Sequence, residues 1–266
     1  MRDPVAEHNR RMWDRLARAG HPFTTAEGRL PRSRTGIRRF LDPYGRIKGM
    51  RLSGARVLAL AAGGGWDGIA FAKLGADTTV LDLSPRQVET VRRLARLERV
   101  TLKAVEGEMK DLSRFPVAHF HLVWHCHSLV FVDDCGPVFH EVARVLAPGG
   151  TYLTGTMHPT TLRLYRTFDG RGWVPLTSYL DPGPVPLNDD SAATWEWEGG
   201  KVVAHTLEYG HTFETLVNGI AETGMMIDGL WEYNEQDPPS EPEPGSDEHL
   251  ESLFPSYIQL RARKPL

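Results

Sequence analysis

Cysteine is scarce in this chain. Cys126 and Cys135 are the two in 266 residues. Two thiols cannot build a disulfide framework, and their spacing is not that of a metal site, so reduced thiols, a cytoplasmic location and no bound metal are expected. An excess of charge of one sign is also lacking. With 31 Lys and Arg against 34 Asp and Glu, the net charge is −3. That balance removes the electrostatic case for a nucleic-acid partner. No apolar run approaches the roughly 18 residues of a membrane span, so no membrane partner is expected. The first residues, Met1 to His8, lack the apolar core of a signal peptide. No internal repeat is visible. Apolar residues make up 41% of the chain, enough for a full core in one large domain with an insertion.

What is present concentrates in residues 57–82. The apolar run Val57-Leu-Ala-Leu-Ala-Ala ends in Gly63-Gly64-Gly65. A short helical stretch follows, and a second apolar run, Thr78-Thr-Val-Leu, ends in Asp82. A strand feeding a loop without side chains lets a ligand approach the backbone closely. A carboxylate about 20 residues on, at the tip of the next strand, suits a ribose diol. Gly63, Gly65 and Gly68 also spell the dinucleotide fingerprint G-x-G-x-x-G, so a nicotinamide cofactor stays open at this point. Asp82 has a plainer alternative as an acid favoured by the dipole of the helix after it.

Strands and helices then alternate. Arg56–Ala61, Thr78–Leu81, Thr101–Val105, His121–His125 and Thr151–Gly155 read as buried strands. Ser84-Pro85 starts a helix as N-cap and first-turn proline. Pro137–Leu146 reads as another helix, halted by Pro148-Gly-Gly150. Helical stretches between strands mean crossover connections and a mostly parallel sheet. Upstream, residues 5–19 form an amphipathic helix, and Arg38–Leu41 a short one. Residues 158–200 lose periodicity and hold Tyr165, Trp173, Tyr179, Trp195 and Trp197, the composition of a cap over the sheet's ligand edge. Thr212–Thr223 is helical, Met225–Glu232 and Tyr257–Arg263 are strands, and the acidic, Pro-rich residues 237–247 form a mobile loop.

Two further segments narrow the cofactor. Glu106-Gly-Glu108-Met109 stands at the tip of the third strand, and Glu141-Val-Ala-Arg-Val-Leu-Ala-Pro-Gly-Gly150 precedes the fifth. With Val57–Gly65, Val80–Ser84, His121–Asp133 and the two C-terminal strands, the chain resembles the class I S-adenosylmethionine-dependent methyltransferases, in particular the UbiE-like small-molecule group. The resemblance implies a Rossmann-like, doubly wound α/β fold with a seven-stranded, mostly parallel sheet whose last strand is antiparallel, plus a cap insertion. It divides the chain into an N-terminal helical lid (1–50) and a methyltransferase domain (51–266) carrying a substrate cap (158–205). It implies S-adenosylmethionine as cofactor and S-adenosylhomocysteine as product. Ala61, Gly63 and Gly65 would hold the methionine part, Asp82 the ribose, Leu83, Glu108 and Met109 the adenine. The backbone of His125 and Cys126 would meet the ammonium or sulfonium region, and Trp13 would close over the cofactor. The chain departs from the family's Phe-Asp-Leu-Val with Phe120-His121-Leu-Val, and carries Glu108 where Asp is common at the adenine.

The sulfonium methyl is already activated, so positioning and exclusion of water do much of the work. A hydroxyl or acidic carbon acceptor also needs a base, and histidine suits this near neutrality. His127 and His158, just beyond strands four and five, are the candidate catalytic residues, each with an alternative as a loop histidine bonded to backbone. His121 reads as structural. His205 and His211 could line the pocket. The N- or D-P-P-Y motif of amino-methylating enzymes is replaced by His125-Cys-His-Ser128, which disfavours nitrogen acceptors. The expected partner is a small-molecule methyl acceptor, and the expected assembly a monomer or homodimer. Two alternatives are a nicotinamide-dependent oxidoreductase and a protein of this fold that binds the cofactor without methyl transfer.

Overall fold

A computed structural model describes residues 3–164, 167–186, 194–197 and 201–266. Seven strands form one sheet: β1 (Arg56–Leu60), β2 (Asp77–Asp82), β3 (Lys103–Glu106), β4 (Phe120–Cys126), β5 (Leu146–Met157), β8 (Met226–Tyr233) and β9 (Tyr257–Arg263), in the order β3-β2-β1-β4-β5-β9-β8. β1 to β5 are parallel, and β9 runs antiparallel between β5 and β8. The expected antiparallel last strand spans the expected residues. A separate two-stranded hairpin joins β6 (Thr194–Trp197) to β7 (Lys201–His205). The helices are α1 (Pro4–Ala19), α2 (Arg34–Leu41), α3 (Trp66–Lys73), α4 (Pro85–Leu97), α5 (Gly136–Val145), α6 (Thr161–Leu164), α7 (Phe213–Ala221) and α8 (Asp247–Leu253).

Both faces of the central strands are covered, so β1 is apolar at successive positions rather than alternate ones. Val57, Leu58, Ala59 and Leu60 are all completely buried. Leu58 and Leu60 meet α5 and α7 through Val138, Val142 and Leu216, while Val57 meets α2 and α3 through Leu41 and Phe71. Local chemistry starts the helices where the sequence suggests. Ser84 Oγ accepts from the Gln87 amide at 3.2 Å ahead of Pro85, and Asp3 accepts from Val5 at 2.8 Å ahead of Pro4.

Three boundaries differ from expectation. β5 begins at Leu146 rather than Thr151, because the Pro148-Gly-Gly150 turn is absorbed as an irregularity. Leu146 pairs with Phe120 before a register shift, and Gly149 and Gly150 bond to Lys264. Pro148 has no amide to donate and occupies this break in the ladder. β3 starts later, at Lys103. In the acidic stretch, Ser246 caps α8 by accepting from the His249 amide at 3.1 Å, a helix the proline content concealed.

Sheet order reverses between β1 and β4, so α3 and α4 cover one side and α5 and α7 the other. A crevice opens outside the carboxyl ends of these strands, where ligands bind in open α/β sheets. α1 and the chain after β7 lie over that edge.

Candidate active site

A narrow cleft lies at this edge, walled by Ala61, Leu83, Glu108, Met109, Phe131 and, from α1, Asn9. The strand tips around it are backbone-defined. Ala61 after β1 (φ 49°) and His127 after β4 (φ 63°) both hold left-handed conformations without being glycine. Such conformations cost about 1–3 kcal/mol each and concentrate at ligand sites. The Ser128 hydroxyl joins the two tips by reaching the carbonyls of Ala61 (3.0 Å) and Cys126 (3.2 Å). Gly64 (φ 75°) must be glycine for a second reason: a Cβ there would stand 2.7 Å from the Phe23 carbonyl, which crosses the loop.

Asp82 is 3% exposed and accepts from the amides of Gly63 and Ser84, both at 2.8 Å. Burial raises its carboxyl to about 6. The two amides oppose the rise and the charge of Asp14 adds to it. A carboxylate offers about four lone-pair directions, so two remain for a diol. Glu108 Oε1 is buried without a hydrogen-bond partner, and burial again raises that carboxyl. Met109 is 4% exposed beneath it. Asp67, two residues after the glycines, is a carboxyl raised to about 6 by burial.

α1 closes the cleft through residues that composition alone did not mark. Asn9, 1% exposed, donates to the carbonyls of Phe131 (3.1 Å) and Leu207 (2.9 Å) and accepts from the Leu207 amide (2.8 Å). Lys110 bonds Asp3 at 2.6 Å and also pairs with Asp133, tying the start of α1 to the loop after β4. Ser84 Oγ donates to Asp14 at 2.5 Å. Trp13 packs edge-on to Phe131 at 5.3 Å and against Trp195 at 5.2 Å.

The expected site residues separate into groups. Ala61, Leu83, Glu108 and Met109 line the cleft together. Gly63, Gly65 and Asp82 stand behind it, packed against α4: a Cβ at Gly63 would lie 2.3 Å from Gln87 Oε1, and one at Gly65 would lie 3.0 Å from Leu94. Trp13 sits one turn beyond the α1 residues that touch the cleft. The His125 side chain points away into the core, fully buried with Nδ1 3.0 Å from the Tyr152 hydroxyl, and burial lowers it to about 3. Cys126 Sγ meets Gln259 at 3.7 Å, and burial pushes its thiol up. Only the backbone of these two residues faces the strand tips. Both cysteines are free thiols.

The histidines expected to serve as bases are poorly placed to do so. His127 Nε2 lies 3.3 Å from the Tyr233 hydroxyl, its ring packs edge-on to Tyr257, and burial lowers it to about 4. His158 accepts from the Thr160 amide at Nδ1 (3.2 Å), so Nε2 carries the proton and donates to Glu232 at 2.9 Å. Neither nitrogen of His158 has a lone pair to spare. His121 accepts from the Arg56 amide at 3.0 Å and is structural, as expected. His205 meets His8 through its carbonyl, and His211 meets the Leu129 carbonyl. The cap aromatics do not form one lid. Trp195 joins Trp13, while Trp173 packs with Phe168 and His249 around a separate surface groove beside α6. Tyr179 accepts from the Phe213 amide at 2.9 Å. Tyr165 and the Trp197 side chain lie outside the described residues. Among the described residues no group of acidic, histidine and cysteine side chains could hold a metal, and no helix is long and apolar enough to cross a membrane.

Glu208 was not marked by the sequence. It is 2% exposed and accepts from the Thr206 hydroxyl at 2.7 Å, and Thr206 in turn accepts from Trp195 Nε1 at 2.8 Å. An acid within the short alternation Thr206-Leu-Glu-Tyr209 after a strand was the available signal.

Comparison with known proteins agrees with this architecture. Residues 58–154 match the family model described as a methyltransferase domain. An uncharacterized methyltransferase of Bacillus subtilis, YbaJ, is 29% identical over 242 residues, covering 86% of this chain and 90% of that protein. A ubiquinone biosynthesis O-methyltransferase of Xanthomonas oryzae is 32% identical over 109 residues, 41% of this chain and 46% of the relative. The crystal structure of an S-adenosylmethionine-dependent methyltransferase from Mesorhizobium loti superposes with a TM-score of 0.63 at 22% identity, covering 86% of this chain and all of that one. Residues 58–154 thus carry a methyltransferase domain, and the seven-stranded sheet, with its order reversing between β1 and β4 and β9 antiparallel, has the fold of S-adenosylmethionine-dependent methyltransferases.

Proposed function

We propose that the cleft binds S-adenosylmethionine and that the enzyme methylates oxygen or carbon of a small organic acceptor. The observation that carries the cofactor assignment is the orphaned Glu108 Oε1, a buried acceptor at the cleft wall, which suits the adenine amine. Leu83 and Met109 supply apolar surface for the ring. Asp82, with two lone pairs in reserve, suits the ribose diol. The left-handed backbone of Ala61 leaves room for the methionine end. The bound cofactor supplies an activated methyl group; the chain's residues hold it, orient it and exclude water. α1 and Trp13 provide the cover.

An oxygen or carbon acceptor fits walls that are largely apolar, with Leu83, Met109, Phe131 and Val132 among them. The ubiquinone O-methyltransferase relative supports the same acceptor type. Calorimetric titration with S-adenosylhomocysteine and with NAD tests the cofactor. Saturable S-adenosylhomocysteine binding without NAD binding is expected; the reverse overturns the proposal. Transfer of a deuterated methyl group to a panel of phenols, amines and carboxylates, read by mass spectrometry, tests the acceptor. Labelled phenol ethers or C-methyl products are expected, and exclusively N-methyl products overturn the oxygen-or-carbon assignment.

A further inference from the structure

The surface groove beside α6 has a volume of about 540 Å³. Small-molecule sites occupy roughly 300–1,000 Å³. Leu164, Phe168, Arg171, Trp173, His249 and Leu253 line it, from the segment after β5, a tight turn and α8. The turn is fixed by its own residues. Asp169 Oδ1 accepts from the amides of Arg171 (2.8 Å) and Gly172 (2.9 Å), and the Asp169 amide donates to the Gly172 carbonyl at 3.1 Å. Gly170 supplies the left-handed residue between them (φ 90°). Phe168 then meets Trp173 at 5.4 Å and His249 at 5.5 Å, and Trp173 meets His249 at 5.8 Å.

These side chains hold hydrogen-bond donors without acceptors. His249 Nδ1 accepts from the Gly245 amide at 3.0 Å, so the neutral ring carries its proton on Nε2. Trp173 Nε1 can only donate, and it is buried at the groove wall with no partner. A buried donor left unpaired is costly, and native structures rarely keep one without a use. Arg171 is exposed and has no carboxylate partner among the described residues. No carboxylate lines the groove. Asp169 is spent on the turn amides, and the acids of α8 are not among the lining residues.

We propose that this groove is a second ligand site and that its ligand is a small, flat aromatic carboxylate. Leu164 and Leu253, the latter 55% exposed, offer apolar surface to a ring, and Phe168, Trp173 and His249 offer aromatic surface. The carboxylate's lone pairs answer the donors on Trp173, His249 and Arg171. Charge selects the ligand, because the one charge on the groove wall is the cation of Arg171. None of the lining residues touches the cofactor cleft, so the proposal stands apart from the cofactor assignment. The same chemistry fits two sources, the methyl acceptor itself or an ancillary ligand.

6-Hydroxy-2-naphthoate is the probe, because its fluorescence reports binding and its hydroxyl can receive a methyl group. Saturable binding to the full chain is expected, undiminished by saturating S-adenosylhomocysteine. The neutral 6-hydroxy-2-naphthamide should bind at least tenfold more weakly, the scale of charge-assisted hydrogen bonds. Arg171→Gln, at an exposed position, should weaken the acid about tenfold and change the amide by no more than about twofold, a split that misfolding would not produce. Trp173→Phe keeps a ring and removes the donor, and should weaken the acid several-fold. It also identifies the Trp173 indole resonance in nitrogen-15-labelled protein, which should move downfield when the acid binds to wild type. Failure of the acid to bind, equal affinities for acid and amide, or displacement of the acid by S-adenosylhomocysteine overturns the proposal. So does dimerisation that Arg171→Gln abolishes and the probe does not, which would give the groove to a second copy of the chain. With S-adenosylmethionine added, a methylated probe makes the groove the acceptor's site and an unmethylated one makes it an ancillary site, and either upholds the proposal. Failure of S-adenosylhomocysteine to bind the same samples faults the cofactor reading alone.

Discussion

The strand tips of β1 to β4 and the segment from Thr206 to His211 are both tied to α1, yet they are built in opposite ways. On the strand-tip side, backbone does the shaping. Ala61 and His127 take left-handed conformations, Gly63 and Ser84 offer amides to Asp82, and the glycines admit Gln87, Leu94 and the Phe23 carbonyl at distances no side chain would permit. On the other side, side chains do it. Asn9, Trp13, Trp195, Thr206 and Glu208 meet from three separate segments. A backbone site arises from a contiguous stretch and its register, whereas a side-chain site exists only when remote segments pack. A cofactor common to a family suits the first kind; an acceptor particular to one enzyme suits the second.

The largest expected effect would come from removing the polar anchor of the strand-tip side. Asp82→Ala should weaken S-adenosylhomocysteine binding about 100-fold, close to 3 kcal/mol, the scale of two charge-assisted hydrogen bonds. A Glu208→Gln variant should leave that affinity within about twofold. Equal losses in the two variants, measured by calorimetry, would erase the distinction between the sides.

The sides should also respond oppositely to pH. His127 titrates at about 4 in the folded protein through burial, below its ordinary 6.5, so the unfolded chain binds more protons between those values. Its contribution is fully present above pH 6.5 and is lost as pH falls toward 4, by about 3 kcal/mol. Glu208 is raised from 4.5 to about 7, so its contribution is present below pH 4.5 and is lost as pH rises through 7. His127→Asn keeps the left-handed backbone accessible. It should flatten the acid limb of a denaturant-midpoint profile, and Glu208→Gln should flatten the neutral limb. Profiles parallel to wild type in both variants would contradict these assignments.

Asn9 is the joint between the two sides. Asn9→Ala leaves Leu207 and Phe131 backbone groups unpaired and should cost about 2 kcal/mol of stability, seen as a Tm lower by several degrees. S-adenosylhomocysteine should still restore part of the lost Tm by mass action. The smallest effect is expected at the Lys110 bridge to Asp3 and Asp133, whose acids are partly exposed. Lys110→Met should cost no more than about 1 kcal/mol, diminishing with added salt.

Most of the sheet was legible because both its periodicity and its punctuation are local. Ser84-Pro85 announces α4, and the buried run Val57–Leu60 announces a central strand. Misreadings arose where a local signal was overruled by a distant partner. Pro148-Gly-Gly150 spells a stop, but pairing with Lys264 holds it at the start of β5. The proline content of residues 237–247 spells a loop, and Ser246 starts a helix at its end. Of the site, Leu83, Glu108 and Met109 followed from the family resemblance, and all three line the cleft. Asn9 and Leu207 are 198 positions apart, and nothing in either neighbourhood marks them as partners. His127 and His158 were chosen for residue type and place along the chain, which reveal neither the Tyr233 contact nor the Thr160 and Glu232 bonds that occupy them.

The amino-acid sequence by itself determined the order of strands and helices, the glycine turn after β1 and the carboxylates at the tips of β2 and β3, because each depends on residues within one turn or one strand of each other. Tertiary structure decided that β9 inserts between β5 and β8, that α1 closes the cleft, and that Glu208 lies buried behind Thr206 and Trp195. Burial and hydrogen bonding between remote segments set whether a carboxyl or an imidazole can accept a proton, and those quantities exist only in the packed chain.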